Sequence, residues 1–243
     1  MKVTVLTLFP EIISGYLDAS IMAKVRDEGK INTEVVQIRD FAQDRHRSCD
    51  DAPYGGGAGM VLKPEPLALA LDSVDASSKR VVYPTPSGRP FDQDYAGELG
   101  KADELVFICG RYEGIDQRII DEYVTDEISI GDYVISSGEI AALVIIDGVY
   151  RLLEGVISRE SLEEESFSRG LLEYPHYTRP AQFHGRDVPE VLLSGHHGEI
   201  QRWRLLKQVE KTVKIRPDLL EQVDITEEIR NILGELETAR KGE

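Results

Sequence analysis

Cysteine is scarce in this sequence. Cys49 and Cys109 are the only two in 243 residues, too few for a disulfide framework or a cysteine metal cluster, so a reducing cytoplasm is the expected setting. Long apolar runs are missing as well. No stretch approaches the roughly 18 residues that would span a bilayer, and no membrane segment is expected. The opening residues, Met1–Pro10, pass from one lysine straight into strand-like alternation without an apolar h-region, so no export signal is expected either. Positive charge is in short supply: 28 Lys and Arg stand against 44 Asp and Glu, a formal charge of −16 and a pI near 4.8. That balance argues against a sequence-blind polyanion binder, which usually carries a basic field. Internal repeats and low-complexity tracts are absent too. What remains is 41% apolar and 30% charged, a soluble globular balance with enough length for one large or two ordinary domains.

Through about residue 157, short β-branched runs alternate with helical patterns. Strands are expected at Val3–Phe9, Thr33–Ile38, Arg80–Pro84, Glu104–Cys109 and Val124–Ile130. Pro10 is placed to start a helix, with Glu11 behind it and Ile12, Ile13, Tyr16 and Leu17 on one face. Leu67, Ala70, Leu71 and Val74 share another face, as do Ile140, Leu143, Ile146, Val149, Tyr150 and Leu153. Strand and helix in alternation imply an α/β unit with a mostly parallel sheet covered on both sides. Residues Ser158–Ser168 are polar and strongly acidic and read as a linker or mobile loop. Beyond it, Ile200, Trp203, Leu206, Val209 and Val213 fall at helical spacing. Thr226 is a good N-cap for a last helix bearing Ile229, Ile232, Leu233 and Leu236. A small helical C-terminal domain is expected.

Four loops are richer in glycine and polar groups than connection requires. Residues 50–60 carry Gly55, Gly56, Gly57 and Gly59. They suit either a tight turn or a backbone that approaches a phosphate, although the lysine of a P-loop is missing. Residues 83–91 and 109–116 both follow strands, and ligands of open α/β sheets bind outside the carboxyl ends of strands. Residues 130–139 lead into a helix, and their main-chain N–H groups could hold an adenosine or a carboxylate. Cys109, closing an apolar strand, reads as core rather than nucleophile. In the C-terminal part, Arg202, Arg204, Lys207, Lys211, Lys214 and Arg216 make one helix locally positive. Such a run is either a solvated face or, with Trp203, a contact for nucleic-acid phosphates. His196 and His197 are adjacent, diverge at a helix start and have no cysteine nearby, so no metal site is expected.

Eight segments in order resemble the bacterial tRNA (guanine-N1)-methyltransferases, the TrmD family of the knotted SPOUT class. They are LFPE (8–11), RDF with DRHR (39–47), DDAPYGGGAGM (50–60), P-x-G (86–88), CGRYEGID (109–116), SIGDYV (129–134), LLEYPHYTRP (171–180) and VPEVLLSGHHGEIQRWR (188–204). The resemblance implies a SPOUT-type sheet with a trefoil knot over residues 1–157, an interdomain linker at 158–172 and a helical tRNA-binding domain at 173–243. It implies S-adenosylmethionine as methyl donor, N1 of guanosine 37 (just 3′ of the anticodon) as acceptor, and a homodimer with active sites at the subunit interface. Magnesium assisting the transfer is a further implication. Cofactor positions carried over by the resemblance are Tyr83, Pro86, Gly110, Tyr112, Glu113, Ile130, Gly131, Asp132, Tyr133, Val134, Ile135, Ser137 and Gly138.

Methylating N1 requires removal of its proton and stabilisation of charge developing on O6. The family's Asp-Ser-Phe reads Glu165-Ser166-Phe167 here, so the resemblance implies Glu165 as the general base, one methylene longer. Arg151 matches the arginine that supports the guanine. The family's Ser-Gly-Gly-Glu reads Ser136-Ser137-Gly138-Glu139. A serine at 137 would be strained if that position needs φ > 0. The competing expectations are a related methyltransferase acting on other RNA or on ribose, and an inactive RNA-binding homologue. An acidic protein can still bind one folded RNA where its positive groups cluster, so selective, salt-sensitive tRNA affinity is expected.

Overall fold

The computed structural model describes residues 1–168, 170–221 and 223–241, with the side chains of Glu163 and of residues 239–241 outside the description. The chain divides into two compact units, Met1–Ile157 and Ser158–Glu243.

In the first unit, five strands form one sheet: β1 (Lys2–Thr7), β2 (Asn32–Gln37), β3 (Arg80–Pro90), β4 (Glu104–Ile108) and β5 (Asp126–Ser129). Their order is β2-β1-β4-β3-β5, and every neighbouring pair is parallel. Parallel strands need crossovers, and the helices that provide them cover both faces. These are α1 (Pro10–Leu17), α2 (Ser20–Asp27), α3 (Pro64–Ser73), α4 (Gln93–Leu99), α5 (Gln117–Tyr123) and α6 (Gly138–Tyr150). Side-chain alternation sorts the strands between two cores. Val3, Val5, Leu105 and Phe107 meet Ile13, Leu17, Met22, Leu99, Ile145 and Val149 on one face. On the other, Leu6, Val106 and Ile108 meet Leu67, Leu71 and Ile119. Central strands buried on both faces explain why their sequences run apolar almost without a break.

Pro10 starts α1 as expected, with Glu11 in the first turn. The largest departure from the sequence reading concerns β3. Its strand was expected to end at Pro84 and instead runs to Pro90. Pairing with β4 stops at Val82, and pairing with β5 continues across a shift in which Ile128 lies opposite both Pro84 and Arg89. Residues 85–88 are thereby thrown out of the ladder as a bulge, which is how a segment rich in proline persists at a sheet's end.

The second unit contains α7 (Arg159–Glu164), α8 (Glu190–Leu193), α9 (His197–Ile215) and α10 (Glu227–Lys241), with a short antiparallel pair, Gln182–Phe183 and Arg186–Asp187. Leu171, Val209, Ile229 and Ile232 form its buried core. The Thr226 hydroxyl accepts the Ile229 N–H at 3.3 Å at the start of α10. Where the sequence reads a linker or mobile loop, Arg159–Glu164 is helical, capped by the Ser158 hydroxyl accepting the Ser161 N–H. The acidic residues that suggested a loop include Glu160, which favours the positive end of the helix dipole. Arg169, in the same expected linker, lies outside the described residues.

Candidate active site

The carboxyl ends of β3, β4 and β5 open onto a cavity of about 260 Å³, where an open parallel sheet places its ligands. Its walls come from three of the four loops singled out in the sequence. Thr85 and Pro86 on the β3 bulge form one wall, residues 110–114 after β4 a second, and residues 130, 131 and 133–138 after β5 the third. The bulge depends on Gly88, because a Cβ there would lie 2.4 Å from the Ile128 backbone nitrogen.

The loop after β4 is shaped around Tyr83. A Cβ on Gly110 would meet the Tyr83 ring at 2.9 Å, and one on Gly114 would meet its hydroxyl at 3.0 Å. Burial pushes the Tyr83 hydroxyl pKa up, keeping the phenol neutral. Gly138 rests directly on the same loop. Its N–H donates to the Gly110 carbonyl at 3.1 Å, and a Cβ at 138 would lie 2.6 Å from both the nitrogen and oxygen of Gly110. Tyr112, in the middle of the loop, holds φ at 56° although it is not glycine, the kind of backbone strain that collects at ligand sites.

The triple-glycine loop plays a different part. Gly55, Gly56 and Gly57 all have positive φ, and nothing lies within 4 Å of where their Cβ atoms would be. Within this chain their positive φ is what requires glycine, and no described residue crowds them. The end of that loop is stitched to the cavity wall: Glu113 N–H donates to the Met60 carbonyl, Leu62 N–H to Gly114 and Asp116 N–H to Leu62.

A buried polar cluster joins the walls. Glu139 is fully buried. Its Oε1 accepts from the Thr7 hydroxyl at 2.6 Å, and its Oε2 accepts from the Ser137 hydroxyl at 2.8 Å and meets Arg111 Nη2 at 2.9 Å. Arg111 also lies over the Phe9 ring, and its Nε is a buried donor without an acceptor among the described residues. Ser137 has φ −140° and ψ 111°. The condition for strain at this position, φ > 0, is not met: the backbone is extended, a conformation any residue adopts, and the side chain is used.

Of the residues carried over from the family resemblance, Tyr83, Pro86, Gly110, Tyr112, Glu113, Ile130, Gly131, Tyr133, Val134, Ile135, Ser137 and Gly138 line the cavity. Asp132 lies in the same loop but is exposed and not part of the wall. Arg111, Thr85 and Ala141 also line it and were missed; the strand-end position of Arg111 within CGRYEGID was the available signal. Cys109 is fully buried, and burial together with the nearby Glu139 raises its thiol well above the ordinary value, as befits a core residue. Arg151 stands at the C-terminal end of α6, in the first unit. Glu165 follows α7 in the second unit.

The basic helix of the second unit is less positive than its sequence suggests. Arg202 faces Glu235, Arg204 faces Glu164, Lys207 faces Glu210, Lys211 faces Glu173 and Arg216 faces Asp218, all within 4.0 Å. Most of these pairs are exposed and screened by solvent. Tyr177 and Trp203 pack together, with ring centroids 6.3 Å apart.

Among the described residues no group of three or more His, Cys, Asp or Glu is arranged to hold a metal ion. A family model described as tRNA (Guanine-1)-methyltransferase TrmD matches residues 1–222. The tRNA (guanine-N(1)-)-methyltransferase of Treponema denticola is 66% identical over 241 residues, covering 98% of this chain and 99% of its own. That of Treponema pallidum is 60% identical over 241 residues, with 98% and 96% covered. That of Borrelia turicatae is 63% identical over 221 residues, with 90% and 92% covered. With this likeness running along most of its length, the chain belongs to the tRNA (guanine-1)-methyltransferase TrmD family.

Proposed function

We propose that this tRNA (guanine-N1)-methyltransferase takes S-adenosylmethionine into the cavity at the ends of β3, β4 and β5 and methylates N1 of guanosine 37 in tRNA. The observation that carries the reading is the cavity itself, whose walls are the three loops that the family resemblance assigns to the donor. The residues fit such a ligand. The space is comparable with the smaller ligand pockets, about 300 Å³ upward. Arg111 Nε is a buried donor in need of an acceptor. Main-chain groups of Ile130–Ile135 would hold the adenine, and Glu113 would lie near the methionine part. When bound, S-adenosylmethionine supplies an electrophilic methyl group on a sulfonium.

The protein's own work concerns the proton. Guanine N1 keeps its proton at neutral pH, so its lone pair becomes a nucleophile only when a base removes it. We assign that role to the Glu165 carboxylate, which takes the N1 proton while charge moves to O6. The Arg151 guanidinium would stabilise that charge. Support for Glu165 comes from its anchored surroundings: the Ser168 hydroxyl donates to its carbonyl at 2.7 Å, and the preceding Glu164 is fixed by Arg204 and Tyr174.

Assembly as a homodimer is supported by apolar groups left in solvent beside the cavity. Val134 is 81% exposed, and Ile140 and Val144 on α6 are nearly half exposed. A trefoil knot of the SPOUT type is supported by the path after β5, which returns from the edge of the sheet to its centre, where Gly138 meets Gly110. Tyr177 and Trp203 offer stacking surface for RNA on the second unit. A tRNA acceptor and free cysteines favour the cytoplasm, and no helix among the described residues is long and apolar enough to cross a membrane. No step is assigned to magnesium.

The deciding experiment incubates the protein with labelled donor and a tRNA transcript carrying guanosine at position 37, against the same transcript with adenosine there. Digestion should yield 1-methylguanosine from the first and no methylated base from the second. A 2′-O-methyl product would favour the ribose reading instead. Donor binding without transfer to any tRNA would favour an inactive RNA-binding homologue.

A further inference from the structure

A fully buried carboxylate is expensive unless both oxygens are satisfied and its charge is paired. Glu139 meets both conditions in a way that bears on the neighbouring cavity. Its partners come from three separate strand ends: Thr7 closes β1, Arg111 follows β4, and Ser137 ends the loop after β5. Arg111 reaches the same loop a second time, donating from Nη1 to the Ser136 carbonyl at 3.4 Å. Thr7 in turn accepts the Phe9 N–H at 2.9 Å, and Phe9 underlies the Arg111 guanidinium. Arg111 and Ser137 line the cavity, whereas Glu139 does not. The carboxylate thus sits behind the wall and holds two of its loops at a fixed separation. Its place in the first turn of α6 adds the favourable end of the helix dipole.

We propose that Glu139 is the positioning residue of the donor pocket, setting the spacing of the 110–114 and 130–137 loops through Arg111 and Ser137. The Ser137 hydroxyl, which stands where the family pattern has glycine, is an added tie in this chain. Preorganised loops bind without first losing conformational freedom, so the tie is worth affinity. The proposal rests on the reading of this cavity as the S-adenosylmethionine site.

Titration calorimetry of the full-length protein with S-adenosylmethionine tests it, with melting temperatures recorded alongside. Ser137→Ala removes one hydrogen bond to a charged group and should weaken binding about tenfold. Glu139→Gln breaks the ion pair with Arg111 and should weaken it further. In both variants KM for the donor should rise in step with Kd, while kcat at saturating donor falls far less. A purely structural role would lower the melting temperature and leave the donor affinity of the folded fraction unchanged. Should Glu139→Gln fail to fold, Ser137→Ala carries the test alone. Wild-type affinity in the folded variants overturns the positioning role. Absence of binding by the wild-type protein overturns the pocket reading, and the positioning role with it.

Discussion

Arg204 lays its guanidinium 4.7 Å from the centre of the Tyr174 ring, and both side chains hold one carboxylate. Glu164 Oε1 accepts from Arg204 Nη1 at 2.9 Å and Oε2 from the Tyr174 hydroxyl at 2.5 Å. Tyr174 is buried, and burial together with that bond pushes its hydroxyl to about 12. The cluster ties the end of α7 to α9 one residue before the proposed base. Tyr174→Phe keeps the ring and loses the hydroxyl. It should destabilise the protein by about 1 kcal/mol in urea unfolding, and Tyr174→Ala by several times more.

Glu165→Gln preserves shape and hydrogen-bonding capacity but cannot accept the N1 proton. Methyl transfer should fall at least a hundredfold, the lower bound expected of a lost general base, while calorimetric binding of S-adenosylmethionine stays at the wild-type value. Near-normal turnover would remove Glu165 from the mechanism.

Gly138→Ala places a methyl group 2.6 Å from the Gly110 backbone, which cannot yield as a flexible side chain would. Overpacking of this kind typically costs about 1–3 kcal/mol. Here it should also part the 110–114 loop from the start of α6. Donor affinity should therefore collapse in protein that still melts cooperatively. Gly97→Ala, inside α4 and with nothing within 4 Å of the new methyl, is the control: it should leave donor affinity unchanged and, if anything, raise stability slightly.

Asp126 predicts an acid sensitivity. Burial alone would raise its carboxyl, but hydrogen bonds from Arg80, Tyr95 and Thr125 outweigh that and hold it at about 2. A depressed carboxylate contributes stability that is fully present above its unfolded value, near 3.9, and is lost as pH falls through 2. The contribution at neutral pH is about 2.5 kcal/mol. Urea midpoints for the wild type should fall between pH 5 and pH 2. Asp126→Asn should be less stable at pH 7 and show a shallower decline over that range.

Much of the first unit was legible in the order of its residues. β-branched runs such as those of β1 and β4 have few alternatives to a buried strand, and Pro10 with Glu11 can only begin a helix there. The cavity residues were legible through the resemblance of whole motifs, because Gly110 and Gly138 matter by their closeness in space and not by their spacing. The extension of β3 was hidden by its prolines, which usually end a strand but here sit in a bulge paired on one side. Helix α7 was hidden by its acidic composition, which resembles a loop until the Ser158 cap and the Glu164 anchor are seen. The partners of the basic side chains on α9 were hidden for a related reason: Glu235, Glu173 and Glu164 are distant in sequence and adjacent in the fold. Ser137 could not be read at all, since neither its extended backbone nor its bond to Glu139 leaves a local trace.

Tyr83 occupies room that two side chains would otherwise claim, those absent from Gly110 and Gly114. The three positions are thus one steric unit shared between two strands' ends. Tested singly, each would appear intolerant of change, yet between 83 and 110 the intolerance is mutual, whereas Gly114 is also held to glycine by its φ of 120°. Shrinking the aromatic ring would make space for a methyl group at 110, and a combinatorial library over the pair should recover folded proteins that neither single library contains.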